Sequence, residues 1–265
     1  MDLLHATRSA SVSDIADALD VTEATVRRTL QRLARDGRVI RSYGGATLAE
    51  GAAAGPREPD PRLSQKAEIG EAASRLVKDG STIALSSGTT VLEMARLLRH
   101  RRLTVITNAL DVATVLLDAD EVELVVLGGV VLPRMHSMRG HLTEEALGDL
   151  RADTVFMGAS AIDLGMGFMT EQVREIAVDR VMRNIARDAV ILADSSKFDR
   201  VAPGLMFGFE QVGTVVTDDR IDPQMHEALE QRGLRVVLGG DDPDTTPPIE
   251  PVTSHESPMH QEVGP

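Results

Sequence analysis

Between residues 63 and 240, short Val/Ile/Leu runs alternate with stretches of helical period, and this rhythm constrains the chain more than any other feature. The apolar runs fall at 81–86, 103–107, 122–127, 153–158, 189–193, 213–217 and 234–238. The helical stretches fall at 64–78, 90–100, 108–118, 171–187 and 222–232. Runs of four to seven apolar residues without polar alternation are strands buried on both faces, and a helix between successive strands lets them lie parallel. The pattern predicts an α/β domain with a mostly parallel sheet and helices on its faces. In such sheets ligands bind beyond the carboxyl ends of the strands, where helix N-termini offer free N–H groups to anions.

The strand ends are therefore the first place to seek chemistry. Ser86-Ser87-Gly88-Thr89-Thr90 follows the first run and opens a helix, supplying hydroxyls, backbone donors and a Gly that permits close approach of a phosphate. Thr107-Asn108 follows the second run, Gly128-Gly129 the third, Gly158 with Asp163 the fourth, and Asp194-Ser195-Ser196-Lys197 the fifth. These polar groups are expected to converge on one edge. Glu175 lies one helical step from Val178 and Met182, which turns it inward and calls for a partner or a ligand; a first-turn Glu that complements the helix dipole is the alternative. Lys197, one of three lysines with Lys66 and Lys78, is placed to neutralise a phosphate, to pair with Glu175, or to face solvent. His136 and His141 have no companion at metal-ligand spacing, so no metal is expected, and no cofactor either.

Ahead of this body lies a segment of different character. Residues 49–62 hold Pro56, Pro59 and Pro61 among small residues and read as a linker, which sets off residues 1–48 as a separate domain. The chain's net charge is −13, yet residues 1–50 are neutral, and within 22–45 six Arg face only Glu23 and Asp36. A local basic module thus precedes an acidic body, so the repulsion expected between duplex DNA and the whole chain does not apply to it. Val12, Ile15, Ala16 and Leu19 form one apolar helical face. After a break at 20–22, Thr22 is placed to cap a second helix, Thr22–Asp36, whose inward stripe is Val26, Leu30 and Leu33. Its outer face carries Arg28, Gln31 and Arg32, with Thr25 and Arg27 on the shoulders and Glu23 in the first turn. Two short helices joined by a tight turn, the second basic near its start, suit a recognition helix in the major groove; an ordinary helical hairpin with a solvated Arg face is the alternative. Residues 38–47 read as a hairpin wing with Gly44-Gly45 in its turn and Arg41 beside Tyr43, the sole Tyr.

V-T-E-A-T-V-R-R-T-L followed by R-S-Y-G-G-A resembles the winged helix-turn-helix of the DeoR family of bacterial transcription regulators. Residues 63–240 extend the resemblance through S-S-G-T-T, T-N, L-G-G, the stretch from Gly158 to Asp163, Glu175 and D-S-S-K-F. The family's effector domain is similar to ribose-5-phosphate isomerase and CoA transferase. The resemblance implies operator DNA as one partner, read by Thr22, Glu23, Thr25, Arg27, Arg28, Gln31, Arg32, Arg41, Tyr43 and Gly44. It implies a phosphorylated sugar as the other, held by Ser86 to Thr90 with Thr107, Asn108, Gly128, Gly129, Asp163, Glu175 and Lys197. Release of a repressor from a carbohydrate operon by that sugar is the implied function. Four departures from the family's pattern stand out. Thr29 replaces an Asp after the paired Arg, and the first helix is shorter than usual, which implies a start further upstream or weakened DNA binding. Ser86 replaces an Asp that would take sugar hydroxyls, and Asp179 stands where a basic residue precedes Arg180.

Two other readings remain open. One is an isomerase in which Asp163 or Glu175 moves a proton and Lys197 stabilises an enediolate; the other is a sensor that has lost specific DNA binding. A single helix-turn-helix reads one half-site, so a homo-oligomer, dimer or tetramer, is expected. No Cys is present, so disulfides and thiolate metal sites are impossible. No apolar run approaches about 20 residues and no secretory leader pattern opens the chain, so a cytoplasmic protein that does not span a membrane is expected. Residues 241–265, with six prolines, six acids and no Lys or Arg, are expected to be disordered.

Overall fold

The computed structural model describes residues 9–19, 21–35, 39–42, 45–48, 61–133, 135–241 and 247–249. The chain divides into two compact units, residues 1–60 and 61–265.

In the first unit, strand β1 (Ser9–Ser11) leads into helix α1 (Val12–Leu19), followed by helix α2 (Glu23–Arg35) and strands β2 (Val39–Ser42) and β3 (Gly45–Leu48). Ser11 and Asp14 cap α1 reciprocally: the Ser11 amide donates to the Asp14 carboxylate at 3.3 Å, and the Asp14 amide to Ser11 Oγ at 3.0 Å. Val12, Ile15 and Ala16 of α1 are buried, as are Val26 and Leu30 of α2 and Ala46 of β3. Leu19, expected on the same apolar face, is 60% exposed; it falls in the last turn of an eight-residue helix, and the buried stripe stops at Ala16. The wing forms as an antiparallel pair in which Ser42 faces Gly45. Gly45 is therefore the first residue of β3 rather than part of the turn. β1 adds to β3 on the other side, giving the order β1-β3-β2. A three-residue strand of Ser-Ala-Ser carries no apolar signal, so the sequence does not announce it.

The second unit begins with helix α3 (Leu63–Arg75). The succession continues with β4 (Thr82–Leu85), α4 (Thr89–Leu97), β5 (Leu103–Thr107), α5 (Leu110–Leu116) and β6 (Val122–Val126). Then come the hairpin β7 (Val130–Leu132) and β8 (Ser137–Arg139), helix α6 (His141–Gly148), β9 (Ala152–Gly158), β10 (Ala161–Asp163) and β11 (Gly167–Thr170). A 3₁₀ turn at Val173–Glu175 leads into α7 (Ile176–Ile185), followed by β12 (Ala186–Leu192), β13 (Gly204–Phe207), β14 (Thr214–Thr217), α8 (Pro223–Gln231) and β15 (Arg235–Leu238). Seven strands form one sheet in the order β15-β14-β12-β9-β4-β5-β6, with every adjacent pair parallel. One apolar layer, including Ile69, Leu76, Met94 and Leu98, covers one face, and Val178, Met182 and Leu229 are among those covering the other. This is the α/β architecture that the alternation of runs predicts.

Three differences matter for the site. The stretch 171–187 is not one helix: the 3₁₀ turn precedes α7, and the chain is already extended at Ala186, six residues before the end of a strand that the apolar run placed only from 189. A second, antiparallel sheet, β10-β11-β13, and the β7-β8 hairpin come from three- and four-residue strands that periodicity does not resolve. The third concerns the tail. Ile249 packs against the apolar layer, its amide donates to Leu76 O at 3.0 Å, and both Arg235 terminal nitrogens donate to Pro247 O at 3.1 Å. Of the tail expected to be disordered, 241 and 247–249 are among the described residues; 242–246 and 250–265 lie outside them.

Candidate functional site

β4 and β9 are neighbours in the sheet, although their connections run off in opposite directions, so a crevice opens at their carboxyl ends. A cavity of about 150 Å³ occupies this crevice, at the ends of β4, β9 and β12. Its floor is the loop Ser86 to Thr90. Gly88, at φ 137°, turns the chain into α4, and no atom lies within 4 Å of where a Cβ would stand, so the glycine is required by its conformation and leaves the approach open. As the residue capping α4, it points the unpaired amides of the first helical turn at the cavity. Ser86 is 4% exposed and its hydroxyl donates to Ser87 O at 3.2 Å.

Two lysines flank this floor. Lys66, from α3, donates to Thr89 Oγ1 at 2.8 Å. Lys197 closes the turn that follows β12. That turn is fixed by two buried carboxylates: Asp194 accepts from the Ser196 amide at 3.1 Å, and Asp218 accepts from the Ser195 amide at 2.7 Å. An α-helix start, hydroxyls and two ammonium groups make this end of the cavity an anion receptor.

Two acids line the cavity as well. Glu175, 7% exposed, accepts from Ser137 Oγ, and Ser87 also bonds to it. Burial pushes its carboxyl above the usual range; the Ser137 and Ser87 bonds and the nearby Arg139 pull the other way. Asp179, four residues on and thus on the same helical face, is pushed up to about 8, first by burial and then by the charge of Glu175. Arg180 does not offset it, because its guanidinium donates to Leu205 O and Met206 O.

In the first unit, the Thr22 hydroxyl accepts from the Thr25 amide at 3.3 Å, capping α2 as expected. Thr22 is exposed just ahead of α2, and Glu23, Thr25, Arg27 and Arg28 are exposed on it. Arg27 pairs with Glu23 at 2.6 Å one turn away, a contact worth little in solvent and readily exchanged for a phosphate. Residues 1–51 match the DeoR-like helix-turn-helix domain, and residues 62–219 match the DeoR C terminal sensor domain. The chain belongs to the DeoR family.

It is accordingly a helix-turn-helix transcription regulator with a sensor domain. A relative from Escherichia coli O157:H7, named as a transcriptional repressor of the aga operon, is 31% identical over 88% of this chain and 89% of its own length. The lactose phosphotransferase system repressor of Lactococcus lactis subsp. lactis is 30% identical, covering 87% and 93%. Among solved structures, ribose 5-phosphate isomerase A of Methanocaldococcus jannaschii aligns with 52% of this chain and 55% of its own, at 20% identity and a TM-score of 0.39. No helix among the described residues is long and apolar enough to cross a membrane.

The structure brings together only part of the expected sensor site. Ser86, Ser87, Gly88, Thr89, Thr90, Glu175 and Lys197 line the cavity. Thr107, Asn108, Gly128, Gly129 and Asp163 do not. Thr107 donates to Leu85 O at 2.7 Å, and the Asn108 amide donates to Met138 O at 3.0 Å, tying β5 to its neighbours. Gly128 O accepts from Thr143 Oγ1 at 2.7 Å, and a Cβ on Gly129 would stand 2.8 Å from Arg139 O. These four residues end β5 and β6, which the sheet order puts beyond β4, on the far side from the crevice. Asp163 ends β10 and accepts from the Gly165 amide at 2.9 Å, closing a turn. Sequence reasoning missed Lys66, Thr170 and Gln172, which also line the cavity. Lys66 carried a signal in the scarcity of lysine; the other two carried none. Of the DNA-reading set, Gln31, Arg32 and Arg41 lie on α2 and β2, while Tyr43 and Gly44 are outside the described residues.

Proposed function

We propose that this regulator is a repressor of a carbohydrate-metabolism operon, released from its operator by a phosphorylated sugar. The observation that carries the reading is the pairing of an anion-receptive helix start, flanked by Lys66 and Lys197, with a chain whose other unit is a helix-turn-helix. The relatives named for the aga operon and for the lactose phosphotransferase system support the carbohydrate link. The phosphate would sit on Ser87 to Thr90, with the sugar extending toward Glu175. Thr22, Glu23, Thr25, Arg27, Arg28, Gln31 and Arg32 of the recognition helix, with Arg41, Tyr43 and Gly44 of the wing, would contact the operator, base edges through Arg and Thr and phosphates through the remaining donors. A homo-oligomer would supply the second half-site, and the protein would act in the cytoplasm. Ligand would favour a geometry unable to span both half-sites, which requires it to bind that geometry more tightly, by about 1–3 kcal/mol.

The reading involves no catalysis. Relatives named as transcriptional repressors support this, and Asp163, one of the two bases an isomerase would call on, does not line the cavity. The test is an anisotropy titration of the full chain on its upstream intergenic DNA at two salt concentrations, with and without a panel of sugar phosphates. Sequence-preferring, salt-dependent binding that one phosphate reverses is the expected result. Binding with no preference for that DNA would overturn the reading, as would turnover of a sugar phosphate that is lost in Lys197→Ala.

A further inference from the structure

The cavity carries charges of both signs. Lys66 and Lys197 line it together with the start of α4, and so do Glu175 and Asp179, four residues apart on one helical face. Glu175 has Ser137 and Ser87 as partners, so a ligand that carried only a phosphate would leave Asp179 without one. Resting on the phosphorylated-sugar reading above, we propose that the effector also carries a cationic amino group, an aminated sugar phosphate whose ammonium is held between Glu175 and Asp179.

The surroundings of Asp179 support this assignment. Among the described residues no hydrogen bond or ion pair reaches its carboxyl group, which is set into the cavity wall. Three of the cations around the cavity are engaged elsewhere or sit beside another group, and the fourth, Lys197, is assigned to the phosphate. Arg180 is turned to the carbonyls of β13, Lys66 donates to Thr89, and Arg139 lies near Glu175. Asp194, the third acid of the cavity, accepts from Ser196 and lies 3.7 Å from Arg62 Nε, so it does not compete for the ligand. An ammonium offers three donors and one positive charge. Placed between the two acids, it would supply the missing donor to Asp179 and remove the repulsion between them. A divalent metal is a poorer occupant: among the described residues no group of three or more His, Cys, Asp or Glu is gathered as a metal site requires.

Calorimetry on the full chain with matched probes tests the assignment. The pairs are glucosamine 6-phosphate against glucose 6-phosphate and galactosamine 6-phosphate against galactose 6-phosphate, with inorganic phosphate as reference. At least one amino sugar is expected to bind tenfold or more tighter than its hydroxyl partner. In Asp179→Asn that preference should fall to threefold or less, while inorganic phosphate binds at least as tightly as before. Lys197→Ala should weaken both members of the pair alike. Equal binding of the pair, a preference that survives in Asp179→Asn, or binding of the hydroxyl sugar only with Mg²⁺ would overturn the amine assignment and leave the sugar-phosphate reading standing. Binding of inorganic phosphate with none of the four sugars would also overturn it. No binding by any probe, inorganic phosphate included, would overturn the phosphate site itself.

Discussion

Replacing Asp179 with Asn should make the sensor domain more stable, and by an amount that depends on pH in a fixed direction. The carboxyl is raised from 3.8 to about 8 in the folded protein, so the folded chain holds its proton more tightly than the unfolded chain does. Ionisation therefore opposes folding. Whatever stability the residue permits is fully present below about pH 4, is lost progressively as pH rises toward about 8, and changes no further above that. Each unit of pH in this window corresponds to about 1.4 kcal/mol, which sets a ceiling of roughly 4 kcal/mol at pH 7. The residue keeps partial contact with solvent in the open cavity, so screening and local relaxation reduce the expected figure to about 1–2 kcal/mol. Asn has nearly the same shape and does not titrate, so it removes the penalty without opening a hole. The chain has no Trp, so urea unfolding is followed by far-UV circular dichroism at pH 5 and pH 8. Glu175 is shifted in the same direction, and for that reason the informative quantity is the difference between variant and parent. The gain should be a few tenths of a kcal/mol at pH 5 and about 1–2 kcal/mol at pH 8. A difference that is the same at both values, or a variant less stable at pH 8, would refute the reasoning.

Other perturbations probe the parts that hold the site. Ser137→Ala withdraws a donor from a buried carboxylate and should cost about 1–3 kcal/mol at pH 8, with a smaller loss in a Glu175→Gln background, as a double-mutant cycle in urea would show. Gly129→Ala asks for a side chain at φ 149° with its Cβ 2.1 Å from Thr143 Oγ1; a loss of about 1–3 kcal/mol, read as a lower Tm, is expected. Thr22→Ala removes the cap of the recognition helix at a cost of about 1 kcal/mol, and operator affinity should fall with it; unchanged affinity would place the operator contacts elsewhere.

The parts of this protein legible in its sequence are those fixed by local chemistry. The run Leu103 to Thr107 matches β5 at both ends because four buried residues out of five, flanked by polar ones, allow little else. Val26 and Leu30 are buried one turn apart in a helix that begins just after Thr22, because period and cap act within a few residues. The Ser86 to Thr90 loop could be singled out because a strand, a small polar turn and a helix start are contiguous. That the cavity carries both signs, with Asp179 unpartnered among the described residues, was less accessible. Asp179 could be noted as out of place before Arg180, but its meaning depends on Glu175 lying on the same face and on Arg180 reaching away to β13.

Taken alone, the sequence determined the α/β alternation, the separate basic helix-turn-helix and the residue types available at each strand end, since all three follow from backbone sterics and hydrophobic period acting over short distances. Tertiary structure alone decided which of those ends meet. The order β12-β9-β4-β5-β6 brings Ser87, Glu175 and Lys197 to one crevice and leaves Thr107, Asn108, Gly128 and Gly129 to brace its neighbours. Strand order is set by how whole layers of side chains pack on the two faces of the sheet, a sum over distant residues that no local pattern records.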